Sequence, residues 1–244
     1  MKVQSNSYTF IYATIIAFVV ATGLALVSLA LQPLQVKNVE VEKKQNILTS
    51  LRVISDKKNA EDLFEKYITT QFTINSKGEK VEGVDPFNIN LREEMKKPAD
   101  RRNLPAFEAA KNDSMFMVIP VYGKGLWGPI WGYMSFSLED SVSNGMPHYS
   151  TVYGVMFDHK GETPGLGAEI NQTPFQLPFR GKKIFDPQGN FISVKVVKGG
   201  ADVGALNEVD AISGGTITSK GLEAMIDSCL VNYQSFFKMN NGNN

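Results

Sequence analysis

Apolar and polar positions are arranged along this chain in three distinct ways. From Tyr8 to Leu31 they do not alternate: YTFIYATIIAFVVATGLALVSLAL is twenty-four residues without a charge. At about 1.5 Å per residue such a run spans roughly 36 Å as a helix, enough to cross a bilayer with some tilt. A cleaved export signal is the alternative, with Ser28-Leu29-Ala30 as a small-x-small cleavage site and Lys2 as a charged start. The apolar core of such a signal is only about 7 to 15 residues, so the longer run predicts a retained single transmembrane helix. In residues 36 to 58 apolar and charged positions are mixed, and Ile47, Leu48, Leu51 and Ile54 share a stripe that predicts a membrane-proximal helix. Residues 59 to 70 read as a second helix. Residues 76 to 114 are charged and contain Pro86, Pro98 and Pro105, the composition of loops and short helices on a variable surface rather than of buried strands.

After Met115 the period changes. MFMVIPVYG, IWGYMSFSLE from Ile130 and TVYGVMFDHK from Thr151 are rich in aromatic and β-branched residues and bounded by Gly or Pro, which predicts three strands close enough in sequence to pair antiparallel. FISVKVVK at 191 to 198 alternates cleanly and predicts a fourth strand. At the end of the chain Leu222, Met225, Ile226, Cys229, Leu230, Tyr233, Phe236 and Phe237 follow helical spacing, so that helix must lay an apolar face on the sheet. No fixed period repeats, which excludes solenoids and propellers. The fold class expected is α+β: one N-terminal transmembrane helix, then an antiparallel sheet with packed helices.

Composition removes several functions. With 43% hydrophobic residues in 244 the chain can bury a sizeable core. Its 25 basic and 25 acidic residues cancel, and Lys or Arg never run beyond pairs such as Lys43-Lys44, so a nucleic-acid partner is not expected. Cys229 is the single cysteine, which excludes an intramolecular disulfide, and His148 and His159 without a Cys pair make no metal site. Lys2 precedes the apolar run while Lys37, Lys43, Lys44 and Arg52 follow it, offset in part by Glu40 and Glu42. Counted literally, that distribution puts the large domain in the cytoplasm, although long translocated domains escape the rule, so the side stays open.

Three stretches stand out as candidate chemistry. In GETPGLGAE at 161 to 169, Pro164 restricts its neighbour Thr163, and Gly161, Gly165 and Gly167 permit either a tight turn or the close approach of a ligand to the backbone. Leu166 between two glycines would suit a loop tip pressed against a flat ring. In DAISGGTITS at 210 to 219, Thr218 or Ser219 is a candidate N-cap for the last helix. Gly214 and Gly215 strip side chains from beside Thr216, leaving its hydroxyl accessible at a helix start, where free N–H groups and the helix dipole favour a phosphate. This stretch fits neither a Walker loop nor a G-x-G-x-x-G fingerprint. Finally Gly123 to Tyr133 places Trp127 and Trp131 among four glycines. Core packing and contact with a planar ligand are both open for Trp127, and packing suits Trp131.

Taken together in their order, the apolar span, Gly125-Leu126-Trp127-Gly128, Glu162-Thr163-Pro164-Gly165-Leu166-Gly167 and Ser213-Gly214-Gly215-Thr216 resemble the C subunit of the Na⁺-translocating NADH:quinone reductase and, through it, the FMN-binding domain shared with the Rnf complex. The resemblance implies that a flavin transferase joins FMN to Thr216 by a phosphoester bond, with Thr218 as the fallback acceptor, and that Gly215 stands where the family motif has Ala. It implies that Glu162, Thr163, Gly165, Leu166, Gly167 and Trp127 line the flavin ring, while Ser213, Gly214, Gly215 and Thr218 surround the attachment point. No residue is expected to act as a catalytic acid or base. The chain would relay single electrons in a bacterial inner-membrane complex, from an iron-sulfur centre held by membrane subunits to a second covalent FMN on the B subunit. Residues 1–7 would be a cytoplasmic tail, 8–31 the membrane helix and 32–244 a periplasmic FMN-binding domain, against the literal charge count. With no carboxylate in the span, this protein is not expected to conduct sodium itself. An Rnf-type or stand-alone flavoprotein and a non-redox anchored binding domain are the alternatives.

Overall fold

The computed structural model describes residues 6–138 and 149–239, and Lys2 and His148 of the readings above lie outside them. Helix α1 (Asn6–Ser50) runs 45 residues without interruption, with Pro33 inside it. The separate membrane-proximal helix expected over 36–58 is therefore the last part of α1, and it ends at Ser50. Ile54, placed on its apolar stripe, lies beyond the helix and is exposed. The chain divides into two compact units, Met1–Lys43 and Lys44–Asn244. In the first, the apolar run is almost wholly exposed, with a mean hydropathy of 2.5 in its most apolar window, as a lipid-facing helix requires.

In the second unit, α1 is closed by paired backbone bonds, Val53 N–H to Leu48 O and Arg52 N–H to Thr49 O, both 2.9 Å. This is the Schellman arrangement, which needs a left-handed residue just past the helix, here Arg52 at φ 57°. Lys111 Nζ donates to the Leu51 and Arg52 carbonyls, and Ser135 Oγ to the Ser50 carbonyl at 2.6 Å, so the helix end is satisfied by the sheet it rests on.

Helix α2 (Ala60–Tyr67) follows, then β1 (Ile68–Ile74), β2 (Lys80–Val81), the single-turn α3 (Leu91–Glu94), β3 (Leu104–Lys111), β4 (Ser114–Lys124), β5 (Pro129–Ser137) and β6 (Thr151–His159). These strands form one antiparallel sheet in the order β2-β1-β3-β4-β5-β6. The three strands expected after Met115 are β4, β5 and β6. Two others correct the reading of the sequence: Ile68 leaves the helix expected to 70 and opens β1, and β3 lies inside the segment taken for loop. Pro105 is tolerated because β3 pairs with β4 only from Phe107 onward, so this end of the strand is an edge on that side. The expected fourth strand, FISVKVVK, shrinks to β7 (Lys195–Val197), which pairs in parallel with β8 (Glu208–Asp210) in a separate two-stranded sheet.

Along β4 burial alternates between two faces. Phe116 and Val118 join Ile47, Leu48, Leu51, Phe64 and Phe107 on one side. Met117, Ile119 and Val121 join Leu222, Met225, Ile226, Tyr233 and Phe237 on the other. A strand covered on both faces must be apolar throughout, which explains MFMVIPV. The second cover is α5 (Thr216–Leu230) with α6 (Gln234–Met239), and the apolar positions read at helical spacing are all buried. The single-turn α4 (Thr173–Gln176) lies between β6 and β7. Gly123 faces Met225 Cβ, 2.6 Å from where a Cβ would stand, and a Cβ at Gly221 would strike the Lys124 carbonyl. Those two glycines let α5 ride against the end of β4, and so bring its first turn to the β4–β5 turn.

Candidate functional site

Three loops, far apart in sequence, meet at the start of α5. Gly125 to Gly128 turn the chain from β4 into β5, closed by Gly125 N–H on the Gly128 carbonyl at 2.8 Å. Trp127 is 70% exposed at this turn, so its indole is not core packing, whereas Trp131 is half-buried on β5.

The second loop leaves β6. Glu162 is buried, Thr163 to Leu166 are exposed, and Gly167 is buried again. Leu166 N–H and Ala168 N–H both donate to the Thr163 carbonyl at 3.1 Å, and Gly165, in the left-handed region at φ 74°, donates its N–H to Glu169 Oε1 at 2.9 Å. The loop is thus a built turn whose tip carries Leu166, 41% exposed.

The third loop joins β8 to α5 through Gly214 at φ 75°. Here a prediction fails: neither Thr218 nor Ser219 caps α5. The helix starts at Thr216, its N-cap is Gly215, and no side chain caps it. Thr218 and Ser219 sit within the first turn, each 1% exposed, with their hydroxyls engaged elsewhere. Ser219 Oγ accepts the Ile212 N–H at 3.1 Å, and Thr218 Oγ1 donates to Glu162 Oε2 at 2.5 Å. Glycine at 214 and 215 lets the chain enter the helix three or four residues earlier than those hydroxyls advertise, with the cap at Gly215.

Contacts between the loops are close. A Cβ on Gly214 would stand 2.6 Å from Leu166 Cδ2, and one on Gly215 3.3 Å from Gly167 N and 2.9 Å from Ile212 Cγ2. At Gly167 a Cβ would collide with Thr218 Oγ1 and Glu162 Oε2. Glu162 joins all three loops: besides Thr218, its Oε1 accepts the Trp127 N–H at 2.8 Å, and its own N–H donates to His159 Nδ1 at 3.2 Å. Sequence reasoning misses this role of His159, because nothing in its spacing marks it. All the predicted site residues, Trp127, Glu162, Thr163, Gly165, Leu166, Gly167, Ser213, Gly214, Gly215, Thr216 and Thr218, fall in these three adjoining segments.

The surroundings of Thr216 fit a phosphate. The helix start carries first-turn N–H groups with no side-chain cap, and Thr216 is only half-buried. Exposed Leu126, Trp127 and Leu166 on the two neighbouring turns offer apolar area to a planar ring, and Gly161 and Gly165 have open space where side chains would stand. Among the described residues no group of His, Cys, Asp and Glu is gathered as a metal site would need.

The FMN-binding domain family matches residues 125–231, a span that holds all three loops. The C subunit of the Na⁺-translocating NADH-quinone reductase of Vibrio vulnificus is 30% identical over 233 residues, covering 85% of this chain and 87% of that protein. The Pseudomonas aeruginosa C subunit is 27% identical and covers 91% and 90%. Among solved structures, the C subunit from Parabacteroides distasonis superimposes with a TM-score of 0.74 at 39% identity, over 85% of this chain and 96% of that one. The chain belongs to the family of the C subunit of the Na⁺-translocating NADH-quinone reductase.

Proposed function

We propose that this chain carries FMN joined through its phosphate to the Thr216 hydroxyl, and relays single electrons as the C subunit of a Na⁺-translocating NADH-quinone reductase. The observation that carries the reading is the position of Thr216. It is the first residue of a helix with no side-chain cap, beside two glycines, in a site completed by the turns at 125–128 and 162–167. A phosphodiester there would be held by the free N–H groups of the first turn and favoured by the helix dipole, typically by about 0.3–1 kcal/mol.

Bound FMN would supply the redox chemistry, and the protein would hold and orient it. Leu166 and Trp127 present apolar surface to the ring. Thr163 and the backbone from Gly165 to Gly167 border it, and Glu162 and Thr218 lock the turns behind it. Ser213, Gly214 and Gly215 keep the phosphate end accessible. Thr216 has no activated nucleophile of its own, so the flavin transferase must supply the base for attachment. Gly215, in place of the family's Ala, matches the local packing, since Ile212 occupies the space a methyl would need.

Residues 8–31 anchor the chain in the bacterial inner membrane, and we place residues 1–7 in the cytoplasm and residues 32–244 on the periplasmic side. The partners in this reading are the B subunit with its second FMN, the membrane subunits that hold an iron-sulfur centre, and the transferase during maturation. The test is coexpression with a flavin transferase, followed by in-gel fluorescence of the denatured protein. Wild type is expected to fluoresce and Thr216→Ala to be dark; two dark bands would remove the covalent carrier.

A further inference from the structure

Glu162 is 5% exposed and makes no ion pair among the described residues. A carboxylate in that position is costly unless hydrogen bonds replace its water. Here they do: Oε1 accepts the Trp127 N–H and Oε2 the Thr218 hydroxyl. The Trp127 N–H can only donate, so Oε1 is necessarily an acceptor there. The chain also omits side chains to admit this group. A Cβ at Gly125 would stand 2.5 Å from Oε1, and one at Gly167 2.6 Å from Oε2. Two glycines, one backbone N–H and one buried hydroxyl, drawn from three separate loops, are thus arranged around a single carboxyl group.

We propose that Glu162 is the positioning residue that assembles the flavin site, and that its charge, held without a counter-cation, lowers the reduction potential of the bound flavin. This rests on the reading of the site given above. The hydrogen bonds fix the Trp127 turn and the first turn of α5 relative to the Leu166 turn, and so set the gap between them. A purely structural junction does not require a charge, because a glutamine would fill the same space while Thr218 turned its hydroxyl to accept. The carboxylate differs electrostatically: adding an electron to a ring beside a fixed negative charge is disfavoured. Removing a unit charge within about 10 Å of a redox group, at an effective dielectric near 20, changes the ratio of reduced to oxidised forms on the order of tenfold.

The test is a spectroelectrochemical titration of the full-length protein, loaded by coexpression with a flavin transferase, for wild type, Glu162→Gln and Glu162→Asp. Glu162→Gln is expected to raise the ratio of reduced to oxidised flavin at a fixed applied potential by about tenfold. Glu162→Asp keeps the charge on a shorter arm that cannot reach both Trp127 and Thr218, so the wild-type ratio should persist while flavin loading falls. A Glu162→Gln titration that overlays wild type overturns the electrostatic role, and undiminished loading of Glu162→Asp overturns the positioning role. Should Glu162→Gln fail to accumulate, a wild-type ratio in Glu162→Asp supports the charge and a ratio displaced from it overturns the proposal. Wild type without flavin would overturn the reading of Thr216 and this inference with it; loaded wild type with an unshifted Glu162→Gln overturns this inference alone.

Discussion

Gly167 shows what single residues contribute to this site. A methyl there would meet Thr218 Oγ1 and Glu162 Oε2, and neither is the free end of a mobile side chain, because each is bonded to the other. Gly167→Ala should therefore destabilise the domain by about 1–3 kcal/mol, as overpacking of a close-packed site does, and lower flavin loading. A denaturant midpoint equal to wild type would show that the junction yields instead. At Gly215 a methyl would stand 2.9 Å from Ile212 Cγ2 and 3.1 Å from Ile212 Cβ, so Ile212 must shift, but the overlap is smaller than at Gly167. Gly215→Ala should be milder, with loading retained. What is legible in the sequence at this scale is the set of Gly-rich turns beside a helix start, which the fold brings together. The junction at Glu162 is not, because Trp127, Glu162 and Thr218 meet only in the folded chain. The cap misleads for a related reason: Thr218 and Ser219 have the chemistry of caps, but glycine at 214 and 215 moves the helix start ahead of them.

Elements divide by how much their own residues decide. The apolar face of the terminal helix is legible residue by residue, since those positions must all face one sheet. Phe237 is fully buried there, edge-on to Phe136 and Phe185, and Phe237→Ala should cost about 3–5 kcal/mol in a urea titration. Tyr233 OH donates to the Pro105 carbonyl at 2.8 Å. Tyr233→Phe should accordingly cost about 1–3 kcal/mol, because the buried Pro105 carbonyl is left without this partner. That bond ties the terminal helices to β3, the strand the sequence conceals. LPAFEAAK contains three alanines and a proline and has little strand propensity, and its conformation is imposed by β1 and β4 on either side. β1 is masked at its start because α2 runs directly into it with no turn between, although ITTQFTI itself is rich in β-branched residues.

At the level of the whole molecule, burial sets an alkaline limit. It pushes the Cys229 thiol from its ordinary 9.0 to about 11, and burial with the nearby charge of Glu108 pushes Tyr149 from 10.0 to about 12. In the unfolded chain these groups lose their protons first, so the unfolded state gains stability as pH rises. The contribution is intact below about pH 9 and is lost between about pH 9 and 12. The melting temperature by circular dichroism should be level to about pH 9 and then fall; a level curve to pH 11 would contradict the burial of Cys229. The division into two units carries a second expectation. A chain beginning at Lys44, where the second unit starts, should fold as a detergent-free monomer, while the full chain should need detergent. Aggregation of the shorter chain would show that the rest of α1 is required by the domain. The anchor is the plainest feature of the sequence, whereas the flanking charges point away from the side on which we place the domain; they are few, and long domains translocate regardless of them.

Tandem mass spectrometry of the peptide spanning 210 to 220, from protein matured with a flavin transferase, shows which hydroxyl carries the flavin. Fragments should localise the flavin phosphate to Thr216 and leave Ser213, Thr218 and Ser219 unmodified. Flavin on Thr218, or a peptide carrying none, would contradict attachment at Thr216.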